Sequence, residues 1–215
     1  MDAREAVLAR VRGALATTQE QTAPPVPRKY RTRSQVAAGS DQAVALLVDR
    51  LRDYQANVAV CAGGNLVQLL GELLRGRASV VVPPGLPAEW VRAAAVIGAE
   101  IGTDTTGAPL SNEDLDAAGA VLTGARVAIA ETGTIVLDAE PDQGRRAITL
   151  VPDHHVCVLG REQIVATVPE AITILGHHPE RPLTWIAGPS ATSDIELIRV
   201  EGVHGPRTLD VIITT

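Results

Sequence analysis

Residues 41–82 read DQAVALLVDRLRDYQANVAVCAGGNLVQLLGELLRGRASVVV, and their periodicity decides the fold. Val44, Leu47, Val48 and Leu51 recur at helical spacing, the short apolar run over 57–61 predicts a strand, and 66–74 returns to helix before a second strand over 79–82. Alternating helices and short apolar strands of this kind argue for helices laid over a largely parallel sheet. Further on, the spacing predicts a helix over 87–97 and strands over 118–123 and 127–129. The later half is richer in strand, with runs over 134–137, 155–159, 183–187 and 209–213 interrupted by a helix over 169–175. The expected class is therefore α/β with a mixed sheet.

Towards the N-terminus, Ala6, Val7, Leu8, Val11 and Leu15 predict an amphipathic helix over 2–16. Pro24, Pro25 and Pro27, followed by Arg28, Lys29, Arg31 and Arg33, break that pattern and read as an extended linker. We expect residues 1–34 to form a helical arm suited to docking a partner, and 35–215 to form the body.

Composition narrows the function. With 19 basic and 25 acidic residues the formal charge is −6, and there is no Phe, with two Tyr and two Trp, so a nucleic acid has neither a basic surface nor stacking platforms. The charges at Asp2, Arg4, Glu5, Arg10 and Arg12 deny the first residues a signal-peptide core, and no run is long and apolar enough for a membrane span. The cytoplasm is the expected compartment. Lys29 is the only lysine and lies in the linker, which argues against Schiff-base or P-loop lysine chemistry. No GxGxxG follows a strand, and no CxxC occurs. Cys61 and Cys157 supply two thiols where an all-cysteine iron–sulfur cluster needs four, so no cofactor is expected within the chain. His154, His155 and Cys157 are close in sequence, but strand alternation puts His155 and Cys157 on one face and His154 on the other, and no metal site is expected.

Three turns carry candidate chemistry. Gly63, Gly64 and Asn65 join a strand to a helix start, where free N–H groups suit an anion, although a plain turn capped by Asn65 is the ordinary alternative. Glu131, Thr132, Gly133 and Thr134 form a polar turn between apolar strands, which makes Glu131 the best single candidate for catalysis; holding the turn is its structural alternative. Gly188, Pro189, Ser190, Thr192, Ser193, Asp194 and Glu196 follow a strand and present hydroxyls around an expected helix start, a cradle for phosphate or carboxylate. Arg145 and Arg146 are candidate partners for such an anion.

AETGTIVL at 130–137, GRRA at 144–147 with LVP at 150–152 and HVC at 155–157, GPSATSDIE at 188–196 and GVHGPR at 202–207 together resemble the LUD-domain family. The resemblance implies a Rossmann-like core similar to the sugar-phosphate isomerase and coenzyme A transferase superfamily. It also implies a place in a three-part system that oxidises L-lactate to pyruvate, with iron–sulfur clusters on the two partner subunits. Two readings of this chain's own task follow. It is an accessory subunit that binds those partners and a small anionic ligand, or an enzyme on an acyl-coenzyme A or phospho-sugar substrate with Glu131 as nucleophile or acid/base, as Glu131-Thr132-Gly133 resembles the glutamate-bearing turn of coenzyme A transferases. Association into a homo-oligomer stays open at this point.

Overall fold

The structure, a computed structural model, describes residues 2–16, 26–193, 199–201 and 205–215. The chain forms two compact units, Met1–Tyr30 and Arg31–Thr215. The first contains α1 (Ala3–Ala16), which buries none of its residues; Val7, Val11 and Leu15 stay largely exposed.

The second unit is built on a six-stranded, wholly parallel sheet. Its strands are β1 (Asn57–Cys61), β2 (Ser79–Val82), β3 (Glu100–Thr103), β4 (Ala120–Thr123), β7 (His154–Gly160) and β12 (Thr208–Thr214), in the spatial order β1-β12-β7-β4-β2-β3. A four-stranded sheet in the order β8-β5-β6-β9 joins β5 (Val127–Ile129), β6 (Thr134–Leu137), β8 (Ile164–Val165) and β9 (Thr184–Ile186); here β6 runs antiparallel to β5 and β9. The mixed character expected of a single sheet thus belongs to this second one. A two-stranded ladder pairs β10 (Ala191–Ser193) with β11 (Arg199–Glu201).

Strand alternation sets the layers. Leu209, Val211 and Ile213 of β12, with Cys157 and Leu159 of β7, face one side, where they pack on α2 (Asp41–Asp53) through Ala43, Leu47 and Leu51 and on the inner face of the second sheet through Ala128, Ile135 and Ile164. Ile212, Val156 and Val158 face the other side, under α3 (Leu66–Leu73) and α4 (Ala88–Val96). Burial on both faces is why these strands read as continuous apolar runs. The outer face of the second sheet is closed by Ala171 and Leu175 of α6 (Val168–Leu175). Ser40 starts α2 by accepting the Ala43 N–H, while Ser111 and Asp114 form a reciprocal cap on the short α5 (Asn112–Asp116).

One expectation changes. The hydroxyl-rich stretch after Gly188 begins a strand rather than a helix: β10 pairs antiparallel with β11, Ala191 opposite Glu201. Serine and threonine before polar residues signal a helix cap, yet Thr192 is β-branched, and pairing with the nearby strand β11 overrides the cap signal. The sequence also left β3, α5 and β8 unread.

Candidate functional site

The first candidate turn sits at the carboxyl end of edge strand β1. Gly63, Gly64 and Asn65 form one turn of 3-10 helix leading into α3, and Asn65 takes the cap position without a side-chain cap bond. Its neighbours in a shallow surface recess are Cys61, Gln68 and Glu72.

The second turn links β5 to β6. Ala130 and Glu131 donate their N–H groups to the Val165 and Ala166 carbonyls, and Thr132 Oγ1 donates to Thr134 Oγ1 at 2.9 Å. Gly133 adopts φ +60°, and a Cβ there would meet the Arg50 backbone at 3.0 Å, so glycine satisfies both the turn and the close approach of α2. The Glu131 carboxylate is engaged: Arg31 Nη2 donates to its Oε2 at 2.7 Å, with the Glu131 side chain 34% exposed.

Arg145 and Arg146 diverge. Arg145 donates through Nε and Nη2 to both oxygens of the buried Asp104 at 2.8 and 2.9 Å, and again to the Leu110 carbonyl. Asp104 raises the Arg145 guanidinium above its ordinary value, and the pair ties the loop after β3 to residues 144–146. Arg146, the next residue, makes no ion pair among the described residues.

The cavity that Arg146 lines holds about 190 Å³. It opens between the 3-10 turn Arg146–Thr149, the first residues of β7 and β12, and the segment running from β9 to β10. Here the structure brings Arg146 together with Gly188, Pro189 and Ser190 from the third turn, and adds Thr149, His155 and Trp185. Gly188 has φ +83°, and a Cβ would run into the Tyr54 carbonyl; Ser190 N–H donates to the Pro206 carbonyl at 2.8 Å. Asp194 and Glu196 lie outside the described residues, while Thr192 and Ser193 belong to β10. Glu131, Thr132, Gly133, Thr134, Gly63, Gly64, Asn65 and Arg145 are not among this cavity's lining residues.

His155 was read as part of a strand, of a family motif and of a histidine–cysteine group not expected to bind metal, yet it is a buried polar residue of the cavity lining. It is 1% exposed, with Nε2 2.8 Å from Thr123 Oγ1. Burial, then the charges of His154 and Arg146, pushes the imidazole down to about 3, so it is neutral at physiological pH. On the same face Cys157 approaches the Gly124 carbonyl at 3.7 Å, and burial pushes its thiol up to about 12. His154 turns to the opposite face, as strand alternation requires, and its Nε2 lies 2.6 Å from Asp210 Oδ2. Although burial alone would raise it, the His154 and Asn57 bonds hold the Asp210 carboxyl below its ordinary value. No group of three or more metal-ligating side chains gathers among the described residues.

A second polar cluster escaped the sequence reading. Asp142 lies over Gly124 at the carboxyl end of β4, so close that a side chain there would have to displace its carboxylate, and burial raises its carboxyl, with Glu140 and Asp138 adding to the effect. Arg181 bridges Asp138 and Glu140 at 2.9 and 2.6 Å. These side chains come from loops whose register only the folded chain fixes.

Residues 44–214 match the family described as the LUD domain. A Deinococcus radiodurans protein named lactate utilization protein C is 43% identical over 216 residues, 99% of this chain and 95% of that one. The Bacillus subtilis protein of the same name is 33% identical over 91 residues, 40% of this chain and 38% of its own length. Among solved structures, a DUF162 family protein from Deinococcus radiodurans superposes with a TM-score of 0.68 at 39% identity, covering 81% of this chain and 97% of that one. The family match over residues 44–214 and 43% identity along nearly the whole chain agree, and the chain belongs to the LUD domain family.

Proposed function

We propose that this chain serves lactate utilization as a non-redox subunit that binds a small anion and works beside iron–sulfur partner subunits during oxidation of L-lactate to pyruvate. The observation that carries the anion-binding part is the cavity in which an arginine without an ion-pair partner among the described residues meets a neutral imidazole. The relatives named for lactate utilization support the pathway. Two cysteines in 215 residues, one of them buried with its thiol pushed up to about 12, supply too few thiolates for a cluster and motivate the partners.

The test is a mild affinity pull-down of tagged full-length chain from lactate-grown cells, recording bound proteins, iron, visible spectrum and lactate-dependent dye reduction. Recovery of a brown, lactate-oxidising complex is the expected result. Colourless chain alone, from cells shown to contain the partners, would remove the accessory reading.

The alternative is an acyl-coenzyme A or phospho-sugar enzyme built on Glu131, and the side chain's partial exposure in its turn favours it. The Arg31 guanidinium on Oε2 opposes it, because it stabilises the carboxylate against attack on a carbonyl. Incubation with acyl-coenzyme A followed by peptide mass analysis decides this: an adduct on Glu131 establishes the alternative, and its absence sinks that version. Glu131→Gln separates function from folding. The pair with Arg31 is largely exposed and worth under about 1 kcal/mol, so a large loss of lactate growth with an unfolding midpoint near wild type assigns Glu131 to function.

A further inference from the structure

We infer that edge strand β1 is the homodimer interface of this protein: the β1 strands of two copies pair antiparallel about a two-fold axis at Val60, joining two six-stranded sheets into one.

The strand itself shows the need. β1 ends the order β1-β12-β7-β4-β2-β3, and its sequence NVAVC carries no charge, proline or glycine, the devices by which natural sheets keep an edge from pairing. The opposite edge has such a device, since β3 reads EIGT with Glu100 exposed. Backbone alternation fixes which groups face outward. The Cys61 carbonyl accepts the Thr215 N–H on the β12 side, so Val58 and Val60 direct theirs away from it, and the Val58 carbonyl is met there by Arg52 Nη2 at 3.2 Å. Nothing among the described residues bonds the Val60 N–H or carbonyl. An axis at Val60 lets each copy donate that N–H to the same carbonyl of the other while the Arg52 bond to Val58 stays in place.

Side chains and charge favour a second copy over an unrelated strand. Val60 is 48% exposed beside Val44 and Val48 in a shallow recess between β1 and α2, so the axis that pairs the backbones also brings two such apolar strips together. It lays the two α2 helices antiparallel on one face of the joined sheet. Because α2 begins at Asp41 and ends on Arg50 and Arg52, each helix turns its basic end towards the acidic end of the other. Arg52 bonds only a carbonyl among the described residues, and the Asp41 side chain is 98% exposed beside its bond to Arg161.

Sedimentation of purified full-length chain over a range of concentrations reads the association. A monomer–dimer equilibrium is expected, with nothing larger because β3 does not offer a matching edge. Val60→Lys is expected to raise the dissociation constant tenfold or more while leaving the urea midpoint near wild type, and Val96→Lys, on α4, to leave it unchanged. Register has its own test. Residues facing each other in a hydrogen-bonded antiparallel pair have Cα atoms about 5.5 Å apart, within disulfide reach, so the full-length double variant Val60→Cys, Cys61→Ser should form a covalent dimer under air oxidation. A chain that stays monomeric throughout, a dimer indifferent to Val60→Lys, or a dimer that Val60→Cys does not link overturns the assignment. So does a different protein that co-purifies with the chain and is lost on Val60→Lys while the purified chain is a monomer, because that protein would then hold the edge.

Discussion

His155 shows what one side chain costs when it is buried neutral. Its folded pKa of about 3 lies below the ordinary 6.5, so the unfolded chain takes up a proton as pH falls through 6.5 while the folded chain does not until about 3. The stability contributed by the neutral form is therefore complete above pH 6.5 and is lost on acidification. From this residue alone unfolding free energy should drop by about 2 kcal/mol between pH 7 and pH 5. Urea titrations across that range check the slope, and His155→Gln should flatten it. The thiols offer a simpler contrast. Cys157 is fully buried and pushed up to about 12, whereas Cys61 is partly accessible and raised less by burial. Iodoacetamide at pH 8 is expected to alkylate Cys61 slowly and leave Cys157 untouched until the protein is unfolded; labelling of native Cys157 at a similar rate would contradict the packing.

Among the elements, legibility followed local pattern rather than burial: β1, which buries no residue, was readable, and the buried β8 was not. Strands β1, β2, β5 and β6 were readable to the residue, because each is a short run of branched apolar side chains between turn residues. Edge strand β3, with sequence EIGT, lacks such a run, and two-residue β8 is too short to carry a period. The site divided in the same way. Ser190 and Arg146 stood out as polar residues in recognisable motifs, but His155 looked like core, and only the tertiary arrangement of β7 and β12 turns its ring to a cavity. No local pattern could have told Arg145 from Arg146: the difference is Asp104, 41 residues away, which occupies one and not the other. The β5–β6 turn carries a prediction of its own. Gly133→Ala must accommodate a methyl against the Arg50 backbone at φ +60°, and a loss of roughly 1–3 kcal/mol in urea unfolding is expected, with α2 displaced.

At the scale of the whole molecule, the parallel sheet depends on one late strand. β12 lies between β1 and β7, pairing Asn57 with Asp210 on one side and Leu209 with His155 on the other. Removing residues 208–214 should abolish the cooperative unfolding transition in calorimetry, because β1 loses the neighbour that ties it into the sheet and both core layers lose Leu209, Val211, Ile212 and Ile213. By contrast α1 buries nothing, so deleting residues 2–16 should leave the melting temperature of the rest within a few degrees of wild type while testing whether partner recovery depends on the arm.

The place of β12 also bears on biosynthesis. A ribosome exposes β1 some 150 residues before the strand that pairs with it has been translated. Throughout that interval the nascent chain carries an unpaired edge at 57–61, joined once residues 154–160 are made by an open gap beside β7, both of the kind that attracts intermolecular strand pairing. Closure of the sheet therefore waits until residues 208–214 are available, and codon-level slowing ahead of residue 208 would lengthen the period in which molecular chaperones must guard the unfinished sheet.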